Sequence, residues 1–150
     1  MIAINRVRLG AAAAKVTYVQ SDLFSWTPHR RFDAVVFCFW ISHVPSERLE
    51  PFLRGVADAL VAGGQVFFVD GRRQPSSTAV DHYLPEPGSE VMTRWLNDGR
   101  TFRIVKNFWE SDDLERWCQR SGLDVTVVDT PTYFQYGVGS RGTPPMTERE

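Results

Sequence analysis

The stretch that decides the fold is Phe32-Asp33-Ala34-Val35-Val36-Phe37-Cys38-Phe39-Trp40. It is apolar almost throughout and does not alternate with polar residues, which is typical of a strand buried on both faces of a parallel sheet. Gln65 to Asp70 has the same character and follows the glycine pair Gly63-Gly64, which we expect to end a helix. That helix is predicted over Ser46 to Val61, because apolar residues recur there at helical spacing. They are Phe52, Leu53, Val56, Ala57, Leu60 and Val61.

Upstream of this unit, Val16 to Gln20 is a strand by composition and Met1 to Ala14 reads as a helix. Gly10 lies where that first helix is expected to weaken or stop. Within the Ser46 to Val61 helix, Pro51 is expected at the first turn, after a short lead-in turn.

Downstream, Val91 to Leu96 and Thr101 to Phe108 predict two strands around the turn Asn97-Asp98-Gly99-Arg100. Ser111 is expected to cap a helix whose first turn contains Asp112 and Asp113 and which ends at Gly122. Its inner side is marked by Leu114, Trp117, Cys118 and Ser121.

Asp124 to Asp129 and Thr132 to Tyr136 predict a closing hairpin. The whole order predicts an α/β sheet with parallel strands and a C-terminal antiparallel hairpin. We expect one domain over 1–150, with an insert or lid at 71–109 and a flexible tail at 139–150.

Gly137-Val138-Gly139-Ser140-Arg141-Gly142 has the spelling of a nucleotide-cofactor loop, G-x-G-x-x-G. Such a loop must open a helix, whose N–H groups then face the cofactor. Pro144, Pro145 and a short polar end follow instead, and they cannot continue as a stable helix. The motif is therefore interpreted as a strand end that runs into a frayed tail.

Composition excludes several classes of protein. With 150 residues, 43% of them hydrophobic, and a net charge of -1, the chain has no basic surplus that would favour nucleic acid. No apolar run approaches the roughly 18 residues of a membrane span, and no signal peptide is visible. Cys38 and Cys118 are expected to be reduced, buried thiols of a cytoplasmic protein, and the Cys and His spacing predicts no metal site.

The order of elements resembles the later two-thirds of a class I S-adenosylmethionine-dependent methyltransferase with its Rossmann-like sheet. "VTYVQSDLFSW" is similar to the third strand and acidic turn of that family, and "FDAVVFCFWISHVP" to its fourth strand and following loop. "LVAGGQVFFVD" is similar to the L-x-P-G-G turn and fifth strand, with Ala62 where proline is usual. "YFQYGVGSRG" then falls on the seventh strand, in the closing hairpin.

The family's glycine loop and its first two strands have no counterpart in these 150 residues. The expectation is a sheet truncated at the N-terminus, in which the Val35 to Phe39 strand exposes one edge. Unpaired edges invite pairing. We expect either that Val16 to Gln20 pairs with that edge or that the protein forms a homodimer through it.

The resemblance implies S-adenosylmethionine as the cofactor. It assigns cofactor contacts to Ser21, Asp22 and Leu23, with Asp22 accepting a hydrogen bond from the adenine amino group, and to Phe37 and Phe39 at the end of the fourth strand. A turn aspartate that satisfies local N–H groups is the alternative reading of Asp22, and core packing is the alternative for the two phenylalanines.

The resemblance also implies acceptor contacts for Trp40, His43 and Tyr83, with His43 as a general base because its unperturbed pKa is near neutral pH. The alternative reading of His43, which the sequence slightly favours, is that it only packs or hydrogen-bonds at the start of the following helix. The resemblance thus implies methyl transfer to a small-molecule acceptor. A non-catalytic remnant that acts as an interaction module is the alternative, and an NAD-dependent Rossmann oxidoreductase is disfavoured because it too needs the missing loop.

Overall fold

A four-stranded mixed sheet organises the computed structural model, which describes residues 2–77 and 88–142. Its strands are β1 (Phe32–Cys38), β2 (Leu60–Gly71), β5 (Leu123–Asp129) and β6 (Phe134–Arg141), in the order β1-β2-β6-β5. β1 and β2 run parallel, whereas β6 is antiparallel to both β2 and β5. The predicted α/β fold with a closing antiparallel hairpin is confirmed.

Three α-helices accompany the sheet in the described part of the chain: α1 (Ile2–Leu9), α2 (Ser46–Ala59) and α3 (Ser111–Arg120). α2 connects the two parallel strands, and its apolar stripe packs on the sheet face that also receives α3. α1 buries none of its residues, and it passes at Gly10 (φ +53°) into a 3-10 helix, Gly10–Lys15. The core consists of apolar side chains from α2, α3 and one face of the sheet, namely Leu49, Leu53, Val56, Val66, Phe68, Leu114, Cys118, Leu123 and Val125.

The remaining strands, β3 (Val91–Trp95) and β4 (Thr101–Val105), form a separate antiparallel hairpin. Its turn has the predicted chemistry, since Gly99 adopts a φ of +84° and the Arg100 N–H donates to Asp98. Side-chain and backbone bonds from Arg100 hold the pKa of the exposed Asp98 carboxyl below its ordinary value. None of the helices in the described ranges has the length and apolar character needed to cross a membrane.

The strand predicted at Val16 to Gln20 is wrong, and so is its predicted pairing with β1. These residues follow the 3-10 helix without entering either sheet, and both Val16 and Val19 are exposed. The composition favours a strand, but β propensity reflects packing against neighbouring strands. No strand in the described part of the chain pairs with this segment, so its β propensity does not lead to a strand.

β1 was expected to be buried on both faces, and this is also wrong. Val35 and Phe37 face α2, whereas Val36 on the other face is 64% exposed and Cys38 is exposed too. The expected burial of both thiols therefore holds only for Cys118, whose pKa is raised to about 12 by burial and, to a lesser extent, by the charge of Glu115. An apolar run without alternation does not show how many faces of a strand are covered.

Three boundary details also differ from the expectation. α2 begins at Ser46, so Pro51 lies inside the helix rather than in its first turn. Gly63-Gly64 does not end α2, since β2 begins at Leu60 and the pair coincides with a register shift against β1. Ser111 does not cap α3, because its hydroxyl bonds to Asp129 and Gln135 instead.

The first five residues of the G-x-G-x-x-G motif lie inside β6, in register with β2 and β5, and Gly142 directly follows the strand. The strand runs through Arg141, so an ordered strand occupies the first residues of the predicted tail at 139–150, and residues 143–150 lie outside the described ranges. A Cβ on Gly137 would overlap the Phe68 ring, and one on Gly139 would overlap the backbone of Asp124 and Val125. These two glycines are explained by close approach inside the sheet, and the motif is not a cofactor loop.

Candidate cofactor-binding site

The Asp22 turn is the first element of the candidate site. The Asp22 Oδ1 accepts a hydrogen bond from the Phe24 N–H at 3.0 Å, and the Ser25 N–H donates to the Asp22 carbonyl at 3.2 Å. Asp22 thus accepts hydrogen bonds from nearby backbone N–H groups, as its alternative reading expected. It uses one carboxylate oxygen only, and Oδ2 has no hydrogen-bond partner among the described residues. The exposed carboxylate keeps an acceptor free for a ligand.

Phe24 fixes this turn against the body of the protein. The centroid of its ring lies 6.1 Å from that of the Trp40 ring. The guanidinium of Arg48, in α2, lies 4.9 Å from the same Phe24 centroid. An aromatic ring between an indole and a cation is stabilised by dispersion and by cation–π attraction. The turn that carries Asp22 is thereby held next to β1 and the start of α2.

A cavity of about 840 Å³ opens between the Asp22 turn, β1 and α2. This volume falls in the range of small-molecule and cofactor sites. Four of the residues predicted from the sequence line it, namely Asp22, Leu23, Phe37 and Trp40. Phe37 forms part of the floor, where its ring stacks on Phe68 at 5.2 Å. The walls are mainly apolar, with the Asp22 carboxylate and the Arg48 guanidinium as charged groups.

The indole of Trp40, which lines this cavity, carries an unpaired donor. Its Nε1 is buried and has no hydrogen-bond partner in the described part of the chain. A buried N–H without an acceptor costs about 1–3 kcal/mol, so it is a natural anchor for an acceptor atom of a ligand. The residues therefore fit a flat, heteroatom-rich ligand such as a purine.

Two other predicted cofactor residues, Ser21 and Phe39, do not line the cavity. Ser21 is exposed. Phe39 is 55% exposed, has a φ of +54° and packs edge-on against Phe134 at 5.9 Å. A non-glycine residue in this region costs about 1–2 kcal/mol, and such strain is concentrated at functional sites. Phe39 directly follows the carboxyl end of β1, where ligands of open α/β sheets bind.

His43 also lies away from the cavity, in a short 3-10 turn, Ile41–His43. Its Nδ1 is 2.7 Å from the carbonyl oxygen of Val105 in the β3–β4 hairpin. His43 and the hairpin thus form a second polar region on the same end of the sheet. The remaining predicted acceptor contact, Tyr83, lies outside the described residues.

Sequence reasoning missed Phe24 and Arg48, and also the α2 residues Pro51, Phe52 and Gly55 that line the cavity. A signal was present for Phe24, because an aromatic residue in a polar turn needs a partner. Arg48 gave none, since an arginine near a helix start is ordinarily solvated. Within residues 2–77 and 88–142, no group of three His, Cys, Asp or Glu side chains could hold a metal ion.

Comparisons with known proteins place this geometry in a family. Neither a protein-family model nor a curated protein matches the chain. Among solved structures, the DhpI–SAH complex is similar with a TM-score of 0.76 and 35% identity, over 96% of this chain and 62% of that chain. The DhpI–SAM–HEP complex gives a TM-score of 0.74 and 34% identity, over 91% and 62%.

A third structure, the glycopeptide N-methyltransferase MtfA complexed with sinefungin, has a TM-score of 0.65. At 19% identity, over 95% of this chain and 73% of that one, it supports the fold alone. This chain spans less than two-thirds of the DhpI chain. With the order of its motifs, its mixed sheet and this likeness to DhpI, the chain has the fold of the class I S-adenosylmethionine-dependent methyltransferase family and resembles that family in sequence.

Proposed function

We propose that this chain binds S-adenosylmethionine in the cavity beside β1 and takes part in methyl transfer to a small-molecule acceptor. The observation that carries the proposal is the convergence of Asp22, Leu23, Phe37 and Trp40 on one cavity. DhpI, 35% identical, has been crystallised with SAH, which supports the same ligand class here.

Each lining residue has a physical role in this proposal. The free Oδ2 of Asp22 accepts a hydrogen bond from the adenine amino group, and the Leu23 N–H faces the ring. Phe37 and the Trp40 indole supply apolar surface, and Trp40 Nε1 donates to a ring nitrogen or a ribose oxygen. Burial of the flat base against aromatic rings then supplies most of the affinity.

His43 is proposed as the residue that removes a proton from the acceptor. The bound cofactor supplies an electrophilic methyl group on its sulfonium, so what remains for the protein is alignment and proton removal. Trp40, in the loop between β1 and His43, and Tyr83 are proposed to contact the acceptor. A neutral imidazole has the basicity for a hydroxyl or amine nucleophile near pH 7.

The proposal is tested by calorimetric titration of the purified chain with S-adenosylhomocysteine, the demethylated cofactor. We expect saturable binding at one site per chain. Circular dichroism of the same sample must show helix and strand signals, so that an absence of binding heat cannot be caused by an unfolded chain. A folded sample that gives no heat at millimolar ligand would remove the cofactor from this chain's function.

A second candidate function, an interaction module, is favoured by an uncovered sheet surface. β1 pairs only with β2 among the described strands, and one face of the sheet exposes large apolar side chains. They are Val36, Phe67, Val128, Phe134 and Val138. Monomeric proteins rarely leave so contiguous an apolar surface open, and a free edge strand recruits a further strand.

We propose a second copy of the chain as the partner at this edge. Light scattering of the wild-type chain is expected to give a dimer mass, and Val36→Lys is expected to give a monomer because lysine on an edge strand opposes pairing. Val7→Lys, at an apolar site in α1 that is more exposed than Val36, is the control and should stay dimeric. A wild-type chain that stays monomeric at about 100 µM would contradict this dimer, since interfaces of standard size have dissociation constants of about 1 µM or lower.

A further inference from the structure

A buried carboxylate lies at the carboxyl end of β2, outside the cavity. Asp70 is 1% exposed, and its Oδ2 accepts a hydrogen bond from the Ser42 N–H at 3.0 Å. Its Oδ1 accepts from the Gly71 N–H at 2.7 Å. Both oxygens therefore receive backbone donors, and one donor belongs to the turn that carries His43.

A partly buried ammonium faces this carboxylate. The Lys106 side chain, 12% exposed, extends from the residue that follows β4. Its Nζ donates to the Ser42 Oγ at 2.7 Å and lies 3.4 Å from the Asp70 Oδ1. Removing one partner of such a pair leaves a buried charge uncompensated, so its geometry is strongly enforced.

The residues on either side of Lys106 form hydrogen bonds with the same turn. The Asn107 N–H donates to the Ser42 carbonyl at 2.7 Å, and the Asn107 side-chain amide donates to the Val44 carbonyl at 2.9 Å. On the other side of Lys106, the Val105 carbonyl lies 2.7 Å from the His43 Nδ1. These hydrogen bonds therefore hold the Ile41–His43 turn and the end of the β3–β4 hairpin in a fixed position relative to each other.

This arrangement fixes which nitrogen of His43 carries a proton. A carbonyl oxygen can only accept, so Nδ1 must be the protonated nitrogen at a separation of 2.7 Å. In the neutral ring the lone pair then resides on Nε2, which is the nitrogen left to accept a proton. Loss of the Val105 contact would allow the other tautomer.

We propose that Lys106 and Asp70 are positioning residues for His43: their buried pair holds the Ile41–His43 turn against the hairpin and thereby keeps the lone pair on Nε2. Neither side chain touches the acceptor in this proposal. It rests on the proposed role of His43, but the arrangement it predicts is present in the chain without cofactor or acceptor.

The test is Lys106→Met, examined by NMR without any ligand. Long-range ¹H–¹⁵N correlations of the His43 ring at pH 8 are expected to show the Nδ1–H tautomer in the wild type and a mixture in the variant. Amide exchange of Ser42 and Asn107 should accelerate by about tenfold or more, as expected for a local opening, while the Phe68 amide in β2 changes by less than about twofold. A purely structural role would not alter the tautomer.

Two variants make the result specific. Arg103→Met removes a charge from an exposed position on the same hairpin and should leave the tautomer and both amides as in the wild type. Lys106→Arg should restore the Nδ1–H tautomer because it keeps a cation beside Asp70. If Lys106→Met does not fold, Ser42→Ala removes the Lys106–Ser42 bond alone and should give the same changes to a smaller extent.

Unchanged tautomer and exchange in the folded variant would overturn the proposal, and so would equal acceleration of the Ser42 and Phe68 amides. In a methyl-transfer assay, the variant is expected to lose at least about tenfold in kcat with cofactor affinity unchanged. If the tautomer and the amide exchange change as expected but the chain binds no cofactor, the proposed function is refuted and the positioning role stands.

Discussion

Replacing Gly139 by alanine is expected to destabilise the protein by about 3 kcal/mol, at the upper end of overpacking effects. A Cβ at this position would overlap the Asp124 carbonyl oxygen and approach the Val125 Cα to 2.6 Å. Both are backbone atoms of β5, in which Val125 is the ladder partner of Gly139 and Asp124 precedes it. Because no side-chain rotation can relieve the overlap, β5 and β6 would have to separate locally.

Urea unfolding followed by circular dichroism measures this effect as a fall in the midpoint at constant slope. Gly55→Ala is the matched control, because a Cβ there meets nothing within 4 Å and Gly55 lies inside α2. Alanine should raise stability there by about 1 kcal/mol through helix propensity. Equal midpoints for the two variants would contradict the packing account of the glycine motif.

Asp22→Ala is expected to weaken binding of S-adenosylhomocysteine by about ten- to a hundredfold, the equivalent of one hydrogen bond to a charged acceptor. The substitution removes the free Oδ2 that we assign to the adenine amino group. It also removes the bond from the Phe24 N–H that shapes the turn. Calorimetric titration of the variant, side by side with the wild type, gives the ratio of the two dissociation constants.

Asp58→Ala is the control for Asp22→Ala. Asp58 is exposed in α2 and does not line the cavity, so its removal changes the net charge equally without touching the site. Its dissociation constant should match the wild type. An Asp22→Ala variant that binds as tightly as Asp58→Ala would mean that this carboxylate serves only its local turn.

The central unit of the fold was predictable because local signals and tertiary structure agree there. The apolar runs of β1 and β2 each favour a strand, and the apolar stripe of α2 favours a helix. Val16 to Gln20 was not predictable, since a strand needs a neighbour and composition does not supply one. Pro51 and Ser111 were misplaced for a related reason: tertiary contacts decide where a helix begins when two starts are locally acceptable.

Part of the candidate site was predictable from the order of the family motifs. Asp22, Leu23 and Phe37, which the family resemblance assigns to the cofactor, line one cavity together with Trp40, which it assigns to the acceptor. Arg48 was not predictable, because its role comes from stacking on Phe24 across the chain. The pairing of Asp70 with Lys106 likewise joins residues 36 positions apart and leaves no local signal.

The most direct test of the central claim, that this cavity is the cofactor site, is a ¹H–¹⁵N spectrum of the indole N–H groups during titration with S-adenosylhomocysteine. Our account predicts a saturable shift of the Trp40 indole signal, assigned by Trp40→Phe, because its buried Nε1 gains an acceptor. The Trp117 indole, in α3 and outside the cavity, should not move. An unmoved Trp40 signal at saturating ligand, with shifts elsewhere or none at all, would contradict the assignment of the site.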